Sequence, residues 1–234
     1  MTEGSTSKMW SRKQGRQPKH SELFVALILL LVVQSFLTTS SISNRILFDV
    51  LFLAVILSTI RSFSRSRRRM LLALTLGGIA VCLMVFVEFR SSTEISIVMY
   101  SIFLLIFLLL EISLIEDVFV SGPVNTDRLV GAACIYFVLA IIWALAFSLL
   151  ETVKPGSFLL PGFDDNLELH QGLLAEFFYF SNVTLTTLGY GDIVPISRPA
   201  RMFASIEAMF GQLFVAIVIG RLVGLHLTEK RMRD

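Results

Sequence analysis

The sequence predicts an all-α membrane protein: a four-helix transmembrane bundle, then a two-helix unit that encloses a short re-entrant helix. Three observations carry this. The 234 residues are 55% hydrophobic and only 16% charged, against roughly 25% charged in soluble domains. Apolar runs close to the roughly 20 residues that span a bilayer recur six times. A seventh run, Leu173–Leu185, is too short to cross and falls between the last two. Such a segment, followed by non-helical chain, is tolerated at membrane depth only where protein or a water-filled cavity surrounds it.

The predicted spans are Glu22–Thr38, Arg45–Ile60, Met70–Glu88, Ile95–Ile115, Leu129–Leu150 and Ala200–Leu222. The first also has the outline of a signal peptide, with a basic leader, an apolar core Leu23–Val33 and small residues at Thr38–Ser41, but it lacks an Ala-x-Ala site. Basic residues set the orientation. Lys8, Arg12, Lys13, Arg16 and Lys19 precede span one; Arg61, Arg65, Arg67, Arg68 and Arg69 follow span two; Arg128, Arg221, Lys230, Arg231 and Arg233 complete the same side. That side holds 15 of the 20 basic residues, so both termini are expected in the cytoplasm and the Glu151–Gln171 loop outside.

Cys82 and Cys134 lie inside apolar runs and read as small hydrophobes with no disulfide expected. His20, His170 and His226 show no metal-ligand spacing. Nucleophile elbows, phosphate loops and paired catalytic carboxylates are missing too, which argues against an enzyme, a resident cofactor or a nucleic-acid partner.

Directly after Leu173–Leu185 the chain reads Thr186-Thr187-Leu188-Gly189-Tyr190-Gly191-Asp192. Two glycines around Tyr190 permit dihedrals that other residues resist, so successive carbonyls can face one axis. The string resembles the TTVGYGD filter of tetrameric potassium channels in six of seven positions, with Leu188 in place of Val; the family's filter loop replaces the ion's hydration shell with backbone carbonyls. From about Leu129 to Leu227 the chain is similar to that family's outer helix, pore helix, filter and inner helix. The resemblance implies K+ sites at the carbonyls of Thr187, Leu188, Gly189 and Tyr190, with Gly191 completing the filter. It also implies a homotetramer, since one filter is present and four must surround the ion. Thr186, Asp192, Tyr179, Phe180 and Val183 are then filter supports; Tyr179 and Phe180 match paired Trp positions of the family, and Tyr179 is expected to bond Asp192. The plain, short architecture resembles small prokaryotic members, implying a plasma (inner) membrane location.

On this reading residues 1–21 are a basic cytoplasmic segment, 22–122 a four-helix region and 123–234 a pore domain. Gly211, in the inner helix, is a gating-hinge candidate, with close helix packing as the alternative reason for a helical glycine. Glu207, one turn earlier, and Glu111 are intramembrane acids, a costly placement that marks function by default. Glu207 is expected either to face the cavity or to bond pore-helix hydroxyls, and Glu111 to pair with a neighbouring helix. Gln212 is a cavity or interface candidate. Asn182-Val183-Thr184 is a formal sequon inside the short helix, out of a transferase's reach. Glu151, Asp164, Asp165 and Glu168 make the outer loop acidic; they are expected to be solvated acids of an ordinary loop, with a cation-concentrating vestibule as the alternative.

Span four carries no Lys or Arg from Ile95 to Gly122. Moving one charge through the field is worth about 2.3 kcal/mol per 100 mV, so a voltage sensor needs several; none of the usual kind is expected. Arg65, Arg67, Arg68 and Arg69 read instead as a topology signal or an anionic-lipid contact. Glu111–Gly122 is expected to leave the membrane as an interfacial linker. The short tail after the inner helix leaves no room for a regulatory module, so gating is expected from membrane, filter, pH, lipid or a partner. The functional expectation is passive, K+-selective conduction. The alternatives are a non-selective monovalent cation channel and a non-conducting membrane subunit or scaffold.

Overall fold

One helix organises the molecule. In a computed structural model that describes residues 20–34, 50, 55, 75, 77–79, 92–119, 126–161 and 172–231, the helix Thr126–Val153 packs against every other long element. In chain order the elements are α1 (Ser21–Gln34), α2 (Thr93–Phe119), α3 (Thr126–Val153), β1 (Phe158–Leu159), α4 (Leu173–Leu185), β2 (Val194–Pro195) and α5 (Arg198–Arg231). The chain is an all-α membrane protein. Thr93–Phe119, Asp127–Val153 and Arg198–Arg221 are long and apolar enough to cross a bilayer, and α1 and α4 are shorter apolar helices. Apart from residues 50, 55, 75 and 77–79, the predicted spans Arg45–Ile60 and Met70–Glu88 lie outside the described residues, as do the arginines at 65, 67, 68 and 69, and Asp164, Asp165, Glu168 and His170.

α1, α2 and α3 are apolar around most of their circumference, as expected where the outer face meets lipid. Packing therefore selects faces by shape. On α1, Leu23, Leu27 and Leu30 are buried while Val25, Leu29 and Val32 are exposed. On α2, Tyr100, Phe103, Phe107, Leu110, Leu114 and Val118 form an inward stripe at spacings of three and four.

That stripe corrects one expectation. The chain from Glu111 does not leave as a linker; α2 continues through Phe119, because Leu114 and Val118 extend the packing face one turn at a time. Contacts from two other helices hold its last turn. His20 Nε2, at the start of α1, lies 3.4 Å from Asp117 Oδ2 and 3.9 Å from Asp127 Oδ2. Arg221 of α5 donates to the Phe119 carbonyl at 3.3 Å and sits 4.7 Å from the centroid of the Phe119 ring. α5 likewise runs beyond its expected end at Leu222, to Arg231.

A two-stranded antiparallel ribbon was not expected. Phe158 pairs with Pro195 and Leu159 with Val194, joining the chain just after α3 to the segment after Thr186–Asp192. Glu151 makes this turn possible, and here the expectation of a solvated acid is corrected. Its carboxylate is buried and accepts the Gly156 amide at 2.7 Å and the Phe158 amide at 3.0 Å. Two amides that would otherwise be orphaned beyond the helix end are satisfied by one side chain.

Candidate functional site: the loop after the short helix

α4 begins at Gly172, whose φ of 94° lets the chain turn sharply into the helix. It spans Leu173–Leu185, as the sequence predicts. One face of α4 is fixed by rings. Phe177 and Phe180 pack with Phe147 of α3 and Phe158 of β1, with centroids 4.7 to 6.5 Å apart and mostly edge-to-face. Edge-to-face contacts of this kind add about 0.5–1.5 kcal/mol each beyond burial. Phe180, a candidate filter support, thus sits inside an aromatic cluster behind α4. Its partners Phe147 and Phe158 were missed in the sequence, where two phenylalanines among 20 carry no signal.

The C-terminal end of α4 leaves four carbonyls without helical partners, and each finds one. Asn182 O accepts the Thr186 amide (3.1 Å) and hydroxyl (2.7 Å). Val183 O accepts the amides of Leu188 (2.9 Å) and Gly189 (3.4 Å). Thr184 O accepts the Thr187 amide at 2.9 Å, and Leu185 O accepts the Tyr136 hydroxyl of α3 at 3.0 Å. The loop is therefore tied to the helix through its own N–H groups.

Left-handed dihedrals recur at alternate positions: Thr187 at φ 59°, Gly189 at 60° and Gly191 at 78°. Leu188 and Tyr190 between them have ordinary negative φ. An extended strand turns successive peptide dipoles to opposite sides; alternating handedness turns them to the same side. Glycine accepts this at no steric cost. Thr187 does not, because a β-branched residue at positive φ is a true outlier, costing on the order of 1–3 kcal/mol. Its amide bond to Thr184, its hydroxyl bond to Thr186 O (2.7 Å) and a contact from Gln212 Nε2 of α5 (3.3 Å) hold it there. Strain held by several contacts is a mark of a functional backbone.

Residues Thr186 to Asp192 are all exposed in the single chain, with Leu188 at 56% and Tyr190 at 67%. Beyond them the Tyr179 hydroxyl donates to Asp192 Oδ2 at 2.6 Å, and the Ile193 amide donates to Oδ1 at 3.0 Å. These bonds, the tyrosine's foremost, hold the Asp192 carboxyl below the ordinary carboxylate range.

Behind the loop, α5 approaches α4 very closely. A Cβ placed on Gly211 would lie 2.0 Å from the Leu185 carbonyl oxygen. Of the two reasons weighed for this glycine, the structure supplies close packing. Four residues earlier, Glu207 is fully buried and meets the Ser181 hydroxyl of α4; it does not face a cavity. Glu111, on α2, is buried, with Oε2 unpartnered among the described residues. The site thus gathers α4, the loop, Asp192, Glu207, Gly211 and Gln212, and leaves Glu111 apart. A strand of exposed peptide groups, rigidly backed and acidic at one end, can coordinate a cation through oxygens alone.

Known proteins place this segment. Residues 129–225 match the family model described as "Ion channel". The chain is 30% identical over 102 residues to the inward rectifier potassium channel Kirbac3.1 of Paramagnetospirillum magnetotacticum, covering 42% of this chain and 28% of that one. It is 36% identical over 64 residues to the two-pore potassium channel 4 of Arabidopsis thaliana, covering 26% of this chain and 22% of that one. The chain therefore spans about a quarter of the length of the curated relatives it matches. No solved structure matches it. On these matches, residues 129–225 are similar to an ion-channel segment, and the two relatives named are potassium channels.

Proposed function

We propose that this chain is one subunit of a homotetrameric, K+-selective channel that conducts passively and lacks a charged fourth-span voltage sensor. The observation that carries the reading is the exposed, alternately left-handed strand Thr187–Gly191, anchored by its amides to the end of α4. Peptide groups left open at membrane depth are sustainable only against protein or water. One copy leaves them open; four copies about an axis convert them into a ring of oxygens that replaces an ion's hydration.

The inner helix fits the same arrangement. In its most apolar stretch α5 buries 11% of its residues inside the chain, against 56% for α3. Met202, Met209, Phe210, Leu213 and Ile217 are left as a surface for neighbouring copies. In this assembly the carbonyls of Thr187, Leu188, Gly189 and Tyr190 bind K+, Gly191 ends the filter, and Thr186, Val183, Tyr179, Phe180 and Asp192 brace it. Gly211 lets the inner helix pass close against the end of α4. K+ is the transported ion, and no cofactor or catalytic group is needed. The subunit resides in the plasma (inner) membrane with cytoplasmic termini. The arginines at 65, 67, 68 and 69 meet anionic lipid.

Purified protein in liposomes tests the proposal. Barium-sensitive K+ uptake, with a reversal potential set by K+ and not Na+, is expected. Equal Na+ uptake would indicate a non-selective cation channel, and no flux a non-conducting subunit; either result overturns the reading. Gly189→Ala and Tyr190→Ala should each insert normally and abolish selective flux.

A further inference from the structure

The contact between α4 and α5 holds more oxygens than its visible hydrogens can bridge. Ser181 Oγ, fully buried, lies 2.8 Å from the carbonyl oxygen of Ala140 on α3 and is also in hydrogen-bond contact with Glu207 Oε1. A hydroxyl has one proton to donate. A carbonyl can only accept, so the 2.8 Å approach of Ser181 to Ala140 is attractive only if the serine proton lies between them. The Ser181–Glu207 contact then needs a proton of its own, and the one group able to bring it is the carboxyl.

The surroundings agree. Glu207 has no exposed surface within a single chain, so no neighbouring copy can supply a counter-charge by contact. Its other oxygen, Oε2, is buried with no partner among the described residues. A carboxylate in that position is an unpaired buried charge, costing several kcal/mol, whereas a neutral acid leaves only one carbonyl oxygen unbonded. Nearby polar groups are engaged elsewhere: the Tyr136 hydroxyl donates to Leu185 O at 3.0 Å, and Arg201, on the same helix as Glu207, donates to Pro195 O at 3.2 Å.

We infer that Glu207 is a neutral carboxylic acid that donates through Ser181 to the Ala140 carbonyl, a one-way relay that pins α5, α4 and α3 at a single point. Glu207 is a positioning residue. It touches no ion, and it fixes the helix that carries the loop against the helix that passes Gly211. Because the carboxyl is a donor here, glutamine can replace it: the amide N–H donates to Ser181 in the same direction. Alanine removes the donor and opens a void at the junction.

Infrared spectroscopy of the purified protein near neutral pH reads the proton directly and needs no ion flux, so its failure is distinguishable from failure of the channel assignment. The expected result is a carbonyl stretch of a protonated carboxylic acid that moves down in D2O. Its Glu207 component should be lost in Glu207→Gln and kept in Glu111→Gln. In Ser181→Ala the component should shift without disappearing, because the acid loses its acceptor and not its proton; this variant stands in if Glu207→Gln does not fold. A carboxylic band unchanged by both Glu207→Gln and Ser181→Ala overturns the inference. In flux, Glu207→Gln should stay within about twofold of wild type and Glu207→Ala should fall by about tenfold or more, the loss of one buried bond and its packing. A Gln variant as impaired as the Ala variant would show that charge, not donation, is what the site requires.

Discussion

At the scale of single residues, the outer end of the loop depends on one hydrogen bond. Tyr179 is the largest cause holding the Asp192 carboxyl below its usual range. A carboxyl lowered in this way stays charged, and stays braced, until pH falls through its lowered value. Tyr179→Phe removes that cause, so on the proposed reading acid on the Asp192 side should disable conduction at a higher pH than in the wild type. A pH titration of flux with external acid checks this, and an unmoved midpoint would contradict it. Gly211 makes a second residue-level prediction. A methyl at that position meets the Leu185 backbone oxygen at 2.0 Å, a contact no rotamer can relieve. Gly211→Ala should therefore force α5 away from α4, lowering stability by about 1–3 kcal/mol, read as a lower thermal midpoint of the assembled protein. The sequence already pointed to both residues, because motif spacing set the first and a helical glycine the second. It could not choose between hinge and close approach at Gly211, since that choice depends on a carbonyl 26 positions earlier in the chain.

At the scale of elements, the Glu151 clasp decides whether the ribbon forms. Glu151→Ala withdraws the acceptor from the Gly156 and Phe158 amides, and bonds to a charged group contribute about 1.5–3 kcal/mol each. The variant should lose about 3 kcal/mol, and Glu151→Gln, which keeps one acceptor, about half of that. Thermal denaturation distinguishes the two, and equal melting of all three proteins would refute the clasp. Here the sequence misled for a physical reason. An acid beside Lys154 and Pro155 reads as solvated, and only the returning chain shows that two amides need it. The helices were legible because each spanning run is continuous: α4 was located to the residue by its length alone. Their ends were less legible. α2 outlasts its expected end because Leu114 and Val118 stay buried, Val118 beside Gly131 of α3, and because His20 and Arg221, both distant in sequence, hold its final turn. The aromatic cluster of Phe147, Phe158, Phe177 and Phe180 was invisible for the same reason: its members come from three elements.

At the scale of the whole molecule, the proposed channel turns on the number of chains around the ion. A lone chain exposes the Thr186–Asp192 loop and most of α5; on the proposed reading function requires closure, and closure by a rotation axis makes every subunit's loop part of one site. This has a quantitative consequence for mixed assemblies. Gly189 sits at φ 60°, where alanine is strained, so a Gly189→Ala chain contributes a defective quarter of the ring while its helices still assemble. If one defective loop breaks the site, selective flux falls as the fourth power of the wild-type fraction, and an equal mixture retains about one-sixteenth of the flux of the pure wild type. Co-reconstitution of separately tagged chains over a series of ratios, with K+ flux as readout, measures the exponent. A linear decline would mean that each chain works alone, and a square that two suffice. Either would be incompatible with a four-membered ring of Thr187, Leu188, Gly189 and Tyr190 oxygens.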